Sequence, residues 1–425
     1  MEHFDTIVIG GGPAGLMAAG RAAEVGERVL LVEKNDSLGE KLLLAGKRRC
    51  SITNAEPDME VFLSRYGENG AFLREAASRF GPTEAMAFFN KNGIKTKVER
   101  GNRVFPHDEP AAAERLKDGA QRILDCLLLY CRKGKVRVLR KSPVRAMKLK
   151  NNRIEYIVTG IEELSAGRYI LATGGKSYPE TGSTGDGYRF AAQAGHTIVE
   201  PTPAIVPVRT QESWVKLARN FRLRNIRLTV TVDGRKVAER FGEMDFTNFG
   251  LSGPIVMDLG TSVLGWKKEG TVHFVLDMKS ALSETDLLSR IELDFEKYSN
   301  RQFMDALVDI LPRAMIPLFL ELSDVPPDKL VEYISPEERQ DFAHLLKNVT
   351  LTVTDTLGFG HAIVTKGGVS LGEVDPAALR SKLCENLYFA GEILDLNGPA
   401  GGFNLQICWS TGYAAGESTE RTNLR

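Results

Sequence analysis

The chain has 425 residues, 43% hydrophobic and 26% charged, the balance of an ordinary globular protein with more than one domain's length. Its 55 lysines and arginines are matched by 55 aspartates and glutamates, which disfavours a phosphate-backbone binder, so no nucleic-acid partner is expected. No apolar run is long enough for a membrane span, the five cysteines are scattered as in a reducing compartment, and the first apolar run starts too early to follow a signal peptide, so a cytoplasmic protein is expected.

The first run, Thr6-Ile7-Val8-Ile9, leads into Gly10-Gly11-Gly12-Pro13-Ala14-Gly15 and a segment of small residues (Ala18, Ala19, Gly20, Ala22, Ala23). A second apolar run, Val29-Leu30-Leu31-Val32, closes on Glu33. Strand, glycine turn, helix, strand and acid, in that order, form the dinucleotide-binding fingerprint. Gly10 permits the tight turn, Gly12 lets backbone approach a pyrophosphate, and Gly15 lets the helix lie close on the sheet. Pro13 and Ala14 open the helix, whose free N–H groups face the phosphates. Glu33 follows Gly12 by 21 residues, the position of a ribose-binding acid, with Lys34 beside it.

Residues 37–54 show no clean period and are rich in glycine and in basic and polar side chains. A segment in this place runs along the cofactor. Lys41, Arg48 and Arg49 are then positioned to meet phosphate or an anionic substrate, and Cys50, Thr53 and Asn54 to approach a redox ring. A solvated basic loop would have the same composition.

Phe72, Ala76 and Phe80, then Met86, Phe88 and Phe89, recur at helical spacing. Residues 95–98 and 103–106 read as a strand pair around Gly101-Asn102. A crossover helix is expected over 111–133, burying Leu116, Ile123, Leu127 and Tyr130. Cys126 and Cys131 lie on it about 140° apart, which forbids a disulfide and makes them core residues. Runs 136–139, 144–149 and 154–158 alternate like a small antiparallel sheet, and Val144 is expected at the cofactor. Tyr169-Ile170-Leu171-Ala172 re-enters the main sheet and stops at Thr173-Gly174-Gly175, where a FAD-binding fold crosses its cofactor a second time. A glycine-rich loop over 178–187 follows. Thr184 or Asp186 is the expected cap of a helix over 188–194, and Asp186 a cofactor neighbour.

Between 196 and 353 the nucleotide signals vanish. Residues 226–232 alternate, Asp233-Gly234 signals a hairpin turn, and 236–238 return. Ser252 is the expected cap of a helix carrying Pro254 in its first turn. A strand is expected over 272–276, then helices over 283–346 with a break at Val325-Pro326-Pro327. This stretch reads as an inserted β-barrel-like plus helical domain that covers the active site and selects the substrate. It separates the first part of a FAD-binding domain, 1–195, from its last part, 354–425.

There Leu387-Tyr388-Phe389-Ala390-Gly391-Glu392 is a strand ending on glycine and acid, and Gly398-Pro399-Ala400-Gly401-Gly402-Phe403-Asn404 opens a final helix. Gly391, Glu392, Gly401, Gly402, Phe403 and Asn404 are expected at the pyrimidine end of a flavin. Free N–H groups and a helix dipole stabilise the negative charge that reduction places there.

Taken together, these segments resemble the BaiN-like flavoproteins, the bacterial family that includes 3-dehydro-bile-acid reductases and aminoacetone oxidases. The resemblance is carried by the first glycine turn, Arg49-Cys50-Ser51-Ile52-Thr53-Asn54, Arg103-Val104-Phe105-Pro106, Thr181-Gly182-Ser183-Thr184-Gly185-Asp186-Gly187, Val364-Thr365-Lys366-Gly367-Gly368-Val369, Phe389-Ala390-Gly391-Glu392-Ile393-Leu394-Asp395 and Gly401-Gly402-Phe403-Asn404-Leu405-Gln406. The chain departs from the family at Gly46-Lys47-Arg48-Arg49-Cys50-Ser51, where Gly-Gly-Gly-Arg-Cys-Asn is usual. The resemblance implies an α/β fold with a FAD-binding Rossmann-like domain of the glutathione-reductase type, built from both chain ends.

The expected function is FAD-dependent hydride transfer to or from a small organic molecule, in one form the reduction of an activated C=C bond. NAD(P)H would visit as a transient donor, because the chain has no second glycine fingerprint. Tyr178, Arg103, His107 and Arg49 are the candidates to donate a hydrogen bond or proton, an acid role worth about 10² to 10⁴-fold. The alternatives are an oxygen-using oxidase of small amines or aminoketones, and a flavin-binding module or RNA-acting flavoprotein. No metal site is expected, and the sequence carries no oligomeric signal.

Overall fold

A computed structural model describes residues 3–45, 49–107, 118–160 and 162–417. The chain forms two compact units, one made of residues up to Pro203 together with those from Ile363 onward, the other spanning Ala204–Ala362.

The first unit is built on a seven-stranded sheet. Its parallel centre contains Arg137–Leu139, β2 (Val29–Val32), β1 (His3–Ile9), Glu163–Leu171 and Leu387–Phe389, in that order. The register brings Leu139, Val32, Ile9, Leu171 and Phe389 level with one another. All five strands therefore end along one edge, and the residues that follow them form a continuous rim. Arg153–Val158 and Ala146–Lys150 extend the sheet as an antiparallel hairpin. Two of the three runs expected as a small antiparallel sheet are thus in place, but Arg137–Leu139 instead joins the parallel sheet beside β2. Three residues carry no signal of strand direction, which is decided by the buried parallel neighbour.

Small residues bring the layers together. A Cβ on Gly15 would lie 1.9 Å from the Gly10 carbonyl oxygen, so only glycine lets α1 (Pro13–Glu24) start this close to β1. The last helix, Phe403–Glu417, lies on α1 in the same way. A Cβ on Gly412 would sit 2.6 Å from the Ala14 oxygen, and one on Gly416 2.5 Å from the Ala18 oxygen. Glycines four apart on one helix thus receive alanines four apart on the other, and this stripe joins the two chain ends.

The crossover helix occupies Gly119–Lys133 among the described residues, with Ile123, Leu127 and Tyr130 buried. Leu116 and Arg48 lie outside the described residues. Cys126 and Cys131 are buried and unpaired. The helix after the 178–187 loop is Asp186–Gln193, two residues earlier than expected, and Gly185 stands at its cap with no side-chain capping bond. Neither Thr184 nor Asp186 caps it, because both bond Lys34 instead.

In the second unit, six strands close a barrel in the order Val208–Thr210, Gly250–Ser252, Arg235–Phe246, Arg222–Val232, Val272–Asp277 and Val349–Thr356. Leu228, Val230, Phe246, Phe274, Leu276 and Leu351 fill it. Asp233 and Gly234 both take positive φ, the turn the hairpin requires. Ser252 ends a strand rather than capping a helix; Gly253, at φ 91°, stands at that cap, and Pro254 opens the helix to Glu269. Helices Glu284–Lys297 and Pro336–Lys347 pack together beyond the barrel, each begun by a serine cap. Among the described residues no helix is long and apolar enough to cross a membrane.

Candidate functional site

The rim of the parallel sheet gathers most of the residues singled out from the sequence. Gly10 follows β1 at φ +106° and donates its N–H to the Val32 oxygen at 2.9 Å. A Cβ there would strike the Ala172 oxygen at 2.5 Å, so the turn and the neighbouring strand end fit only around glycine. Gly12 stands at the cap of α1, with no side chain bonded to the helix start. A Cβ on it would meet nothing within 4 Å. The first-turn N–H groups of α1 therefore open onto free space with a positive dipole end behind them, which suits an anion.

Glu33, just past β2, accepts the Gly11 N–H on Oε2 at 2.7 Å and the Asn35 N–H on Oε1 at 2.8 Å. Two backbone bonds fix the carboxylate and leave each oxygen a lone pair for a hydroxyl donor. Beside it, the Ser142 N–H bonds the Glu33 carbonyl at 2.9 Å, and the Lys141 N–H bonds that of Asn35. This draws the segment carrying half-buried Val144 along the same end of the rim. Lys34 points away to a different task, with its ammonium on Asp186 Oδ2 at 2.7 Å and Thr184 Oγ1 at 2.6 Å. Burial pushes the Asp186 carboxyl up, but the Lys34 bond and charge outweigh it and hold the group below its usual range.

At the centre of the rim, Thr173, Gly174 and Gly175 follow one strand, and Gly391 and Glu392 follow the next. A Cβ on Gly391 would reach 2.6 Å from that of Ala14, so this turn leans on the start of α1. Glu392 accepts Lys41 Nζ on Oε2 and the Thr365 N–H on Oε1, both at 2.6 Å. Thr365 Oγ1 in turn accepts the N–H groups of Lys176 and Ser177. Thr173 Oγ1, Ser51 Oγ and the Tyr188 hydroxyl are buried without a hydrogen-bond partner among the described residues. The open Gly12 position and the anchored Glu33 together fit a bound dinucleotide.

The second glycine turn is more self-contained. A Cβ on Gly402 would come 2.3 Å from the backbone carbon and oxygen of Thr53. The Asn404 amide bonds Gly398 in both directions, at 2.9 and 2.8 Å, and so pins the turn rather than facing outward. Phe403 stacks on Phe62 at 5.3 Å and meets Tyr66 edge-on, inside the core. Thr53 gives its hydroxyl to Gln406, and Asn54 donates to the carbonyls of Gly101 and Gly401. Cys50 is fully buried, and burial pushes its thiol up to about 12, so it is a packing residue rather than a nucleophile.

Of the four candidate donors, Arg49 and Arg103 share one aromatic ring. Tyr178 sits at φ +52°, a left-handed conformation that costs a non-glycine residue about 1 kcal/mol or more. Burial and then the Glu180 charge raise its hydroxyl above the usual range, so it stays protonated. Arg49 bonds Glu99 at 2.6 Å, with its guanidinium carbon 4.3 Å from the centre of the Phe105 ring. Arg103 lies on the same ring at 5.8 Å and bonds the Arg100 carbonyl through Nε. His107 is exposed at the end of its strand, its backbone held between Lys95 and Arg122. Sequence reading gave no role to Thr365, Tyr188 or Gln406. Their only local signal is a polar side chain set among glycines and apolar residues.

A family model described as the HI0933-like protein Rossmann domain matches residues 4–418. The chain is 33% identical over 418 residues, 97% of its length and 98% of the relative's, to 3-dehydro-bile acid delta(4,6)-reductase of Clostridium scindens. It is 27% identical over 417 residues, 98% of each chain, to ribosomal RNA dihydrouridine synthase of Escherichia coli. Among solved structures, 3-ketosteroid-delta4-(5alpha)-dehydrogenase from Rhodococcus jostii in complex with 4-androstene-3,17-dione aligns with a TM-score of 0.53 at 15% identity. That alignment covers 98% of this chain and 97% of the other, a likeness of fold.

Proposed function

The chain belongs to the HI0933-like Rossmann family, of FAD-dependent oxidoreductases, and from that premise we propose that it reduces a C=C bond conjugated with a carbonyl in a small organic substrate. The observation that carries the reading is the common rim: five parallel strands end level with one another, and their glycine turns and acids line one edge. Ligands in open α/β folds bind along such an edge.

Bound FAD would supply hydride. The free N–H groups at the start of α1 would hold its pyrophosphate and Glu33 a ribose. Thr173, Gly174, Gly391 and Glu392 would line its middle, and Gly401 and Gly402 its pyrimidine end. Conjugate reduction also needs a proton. Tyr178 is the candidate donor, because its raised hydroxyl is protonated at neutral pH. Tyr178→Phe would then lower turnover about 10² to 10⁴-fold with flavin still bound.

The two relatives support a shared chemistry. A bile-acid delta-reductase saturates a steroid C=C bond, and making dihydrouridine saturates the C=C bond of uracil beside its carbonyl. The second name favours a second reading, in which the acceptor is a uracil base within RNA.

Anaerobic titration of the FAD-loaded protein with NADPH and then NADH, followed by an enone, tests the proposal. Bleaching of the flavin bands by a nicotinamide and their return on adding the enone is the expected result. A flavin that neither nicotinamide reduces, but that an amine or aminoketone does, with hydrogen peroxide released in air, would replace this reading with the oxidase. Dihydrouridine formed in RNA, with a salt-sensitive shift of labelled RNA at micromolar protein, would move the second reading to first place.

A further inference from the structure

We propose that Arg103, backed by Phe105 and Arg49, is a binding site for the carboxylate or phosphate of an anionic substrate. The inference rests on the reading above, in which Gly401 and Gly402 would line the pyrimidine end of bound FAD.

Four observations place the site. Arg103 lies on the strand Arg103–Pro106, paired with residues 53–54 and Thr96–Glu99 in a three-stranded sheet. Its stem runs past the second glycine turn, Cγ standing 3.5 Å from where a Cβ on Gly401 would be. Its Nε is bound to the Arg100 carbonyl at 3.0 Å, which anchors the guanidinium, and neither terminal nitrogen is bonded among the described residues. Phe105, almost wholly buried, carries Arg103 and Arg49 against its ring at 5.8 and 4.3 Å, so one aromatic ring gathers both cations.

The charge count at this face is uneven. Glu99 is shared between Arg49 at 2.6 Å and Lys97 at 3.4 Å. Arg103 and Arg100 have no acidic partner among the described residues. A guanidinium presents a planar fork that matches a carboxylate or a phosphate. It is a poor proton donor, since it does not give up its charge. Arg103 therefore binds and orients the substrate rather than acting as the acid.

The probes are two matched pairs: 3-oxo-4-cholenoic acid against its methyl ester, and uridine 5′-monophosphate against uridine. Each is titrated into the FAD-loaded protein at low salt while perturbation of the flavin bands is recorded. In the wild type, at least one charged probe is expected to bind about tenfold or more tightly than its neutral partner. Arg103→Gln should collapse that ratio, and Arg103→Lys, which keeps the charge but loses the fork, should retain part of it. Added salt should lower the ratio in the wild type more than in Arg103→Gln. The pair that shows the preference identifies the anion as carboxylate or phosphate. Equal binding of charged and neutral partners to the wild type, or a ratio that Arg103→Gln leaves intact, overturns the site. Turnover of a neutral enone with no preference for charge would remove this inference and leave the reductase reading standing. Failure of every enone to reoxidise the flavin would remove the reading itself.

Discussion

The two glycine-rich helix starts, residues 10–15 and 398–404, look alike in sequence and differ in what their glycines face. At the first, Gly12 opens onto free space, and Gly10 and Gly15 take the close packing. At the second, Gly402 is pressed on the Thr53 backbone, and Asn404 spends its amide on Gly398. One turn keeps its central position clear, whereas the other is largely spent holding the last helix against residues 53–54. Glycine spacing alone does not distinguish these uses, but the contact each missing Cβ would make does.

The largest effect expected from this contrast is at the second turn. Gly402→Ala places a Cβ at 2.3 Å from backbone atoms, at φ +102°. We expect a stability loss of about 3 kcal/mol or more, read as a lower urea midpoint, with cofactor lost as a consequence. A midpoint within error of wild type would mean that the two turns do not differ in the way described.

Glu33→Gln comes next. The amide NH2 cannot accept the backbone N–H that a carboxylate oxygen takes, so a bond to Gly11 or Asn35 is lost along with a ribose acceptor. FAD affinity should fall about ten- to hundredfold, measured by fluorescence on reconstituting the apoprotein. Unchanged affinity would place the ribose elsewhere.

Gly12→Ala isolates the ligand-facing function. Its φ of −80° and ψ of −174° suit alanine, and the new methyl meets no protein atom. Stability should change by less than about 1 kcal/mol, the range for a cap substitution, while FAD affinity drops about tenfold as the methyl meets the pyrophosphate. If stability fell and affinity did not, Gly12 would be a packing glycine like Gly402.

Much of the first turn was legible because its signals are local. Gly10, Gly12, Gly15 and Glu33 lie within one βαβ unit, and each has a fixed steric or hydrogen-bonding task. The family resemblance held over the whole length for the same reason, as its motifs are short and in order. The second turn was harder, since its contacts join residues far apart in the chain. Thr53 meets Gln406, Arg103 meets Gly401, and Trp409 donates to the Ile52 carbonyl. Arg49 and Arg103 read as candidates to donate a hydrogen bond or proton, because sequence shows charge and not the ring beneath it. Arg137–Leu139 was given the wrong sheet because three residues carry no direction.

The smallest expected effect concerns how the strand before Gly391 is backed. His196 is buried edge-on against Phe389, the last residue of that strand, at 4.8 Å. Ser381 Oγ accepts the N–H groups of Leu383 and Cys384, so its own proton goes to His196 Nε2 at 2.7 Å. The other ring nitrogen then carries the proton and faces Glu373 Oε2 at 3.3 Å, off the line of a good hydrogen bond. Burial pulls the imidazole below its usual range and outweighs the Glu373 charge. The unfolded chain therefore takes up this proton at a higher pH than the folded one. Stability from this group is complete above about pH 6.5, the ordinary histidine value, and declines as pH falls below it. Urea midpoints at pH 7.5 and 5.5 should separate more in the wild type than in His196→Gln. Parallel profiles would show that burial does not hold the ring neutral. Flavin retention measured alongside would show whether loosening this support reaches the Gly391 turn, which leans on the start of α1.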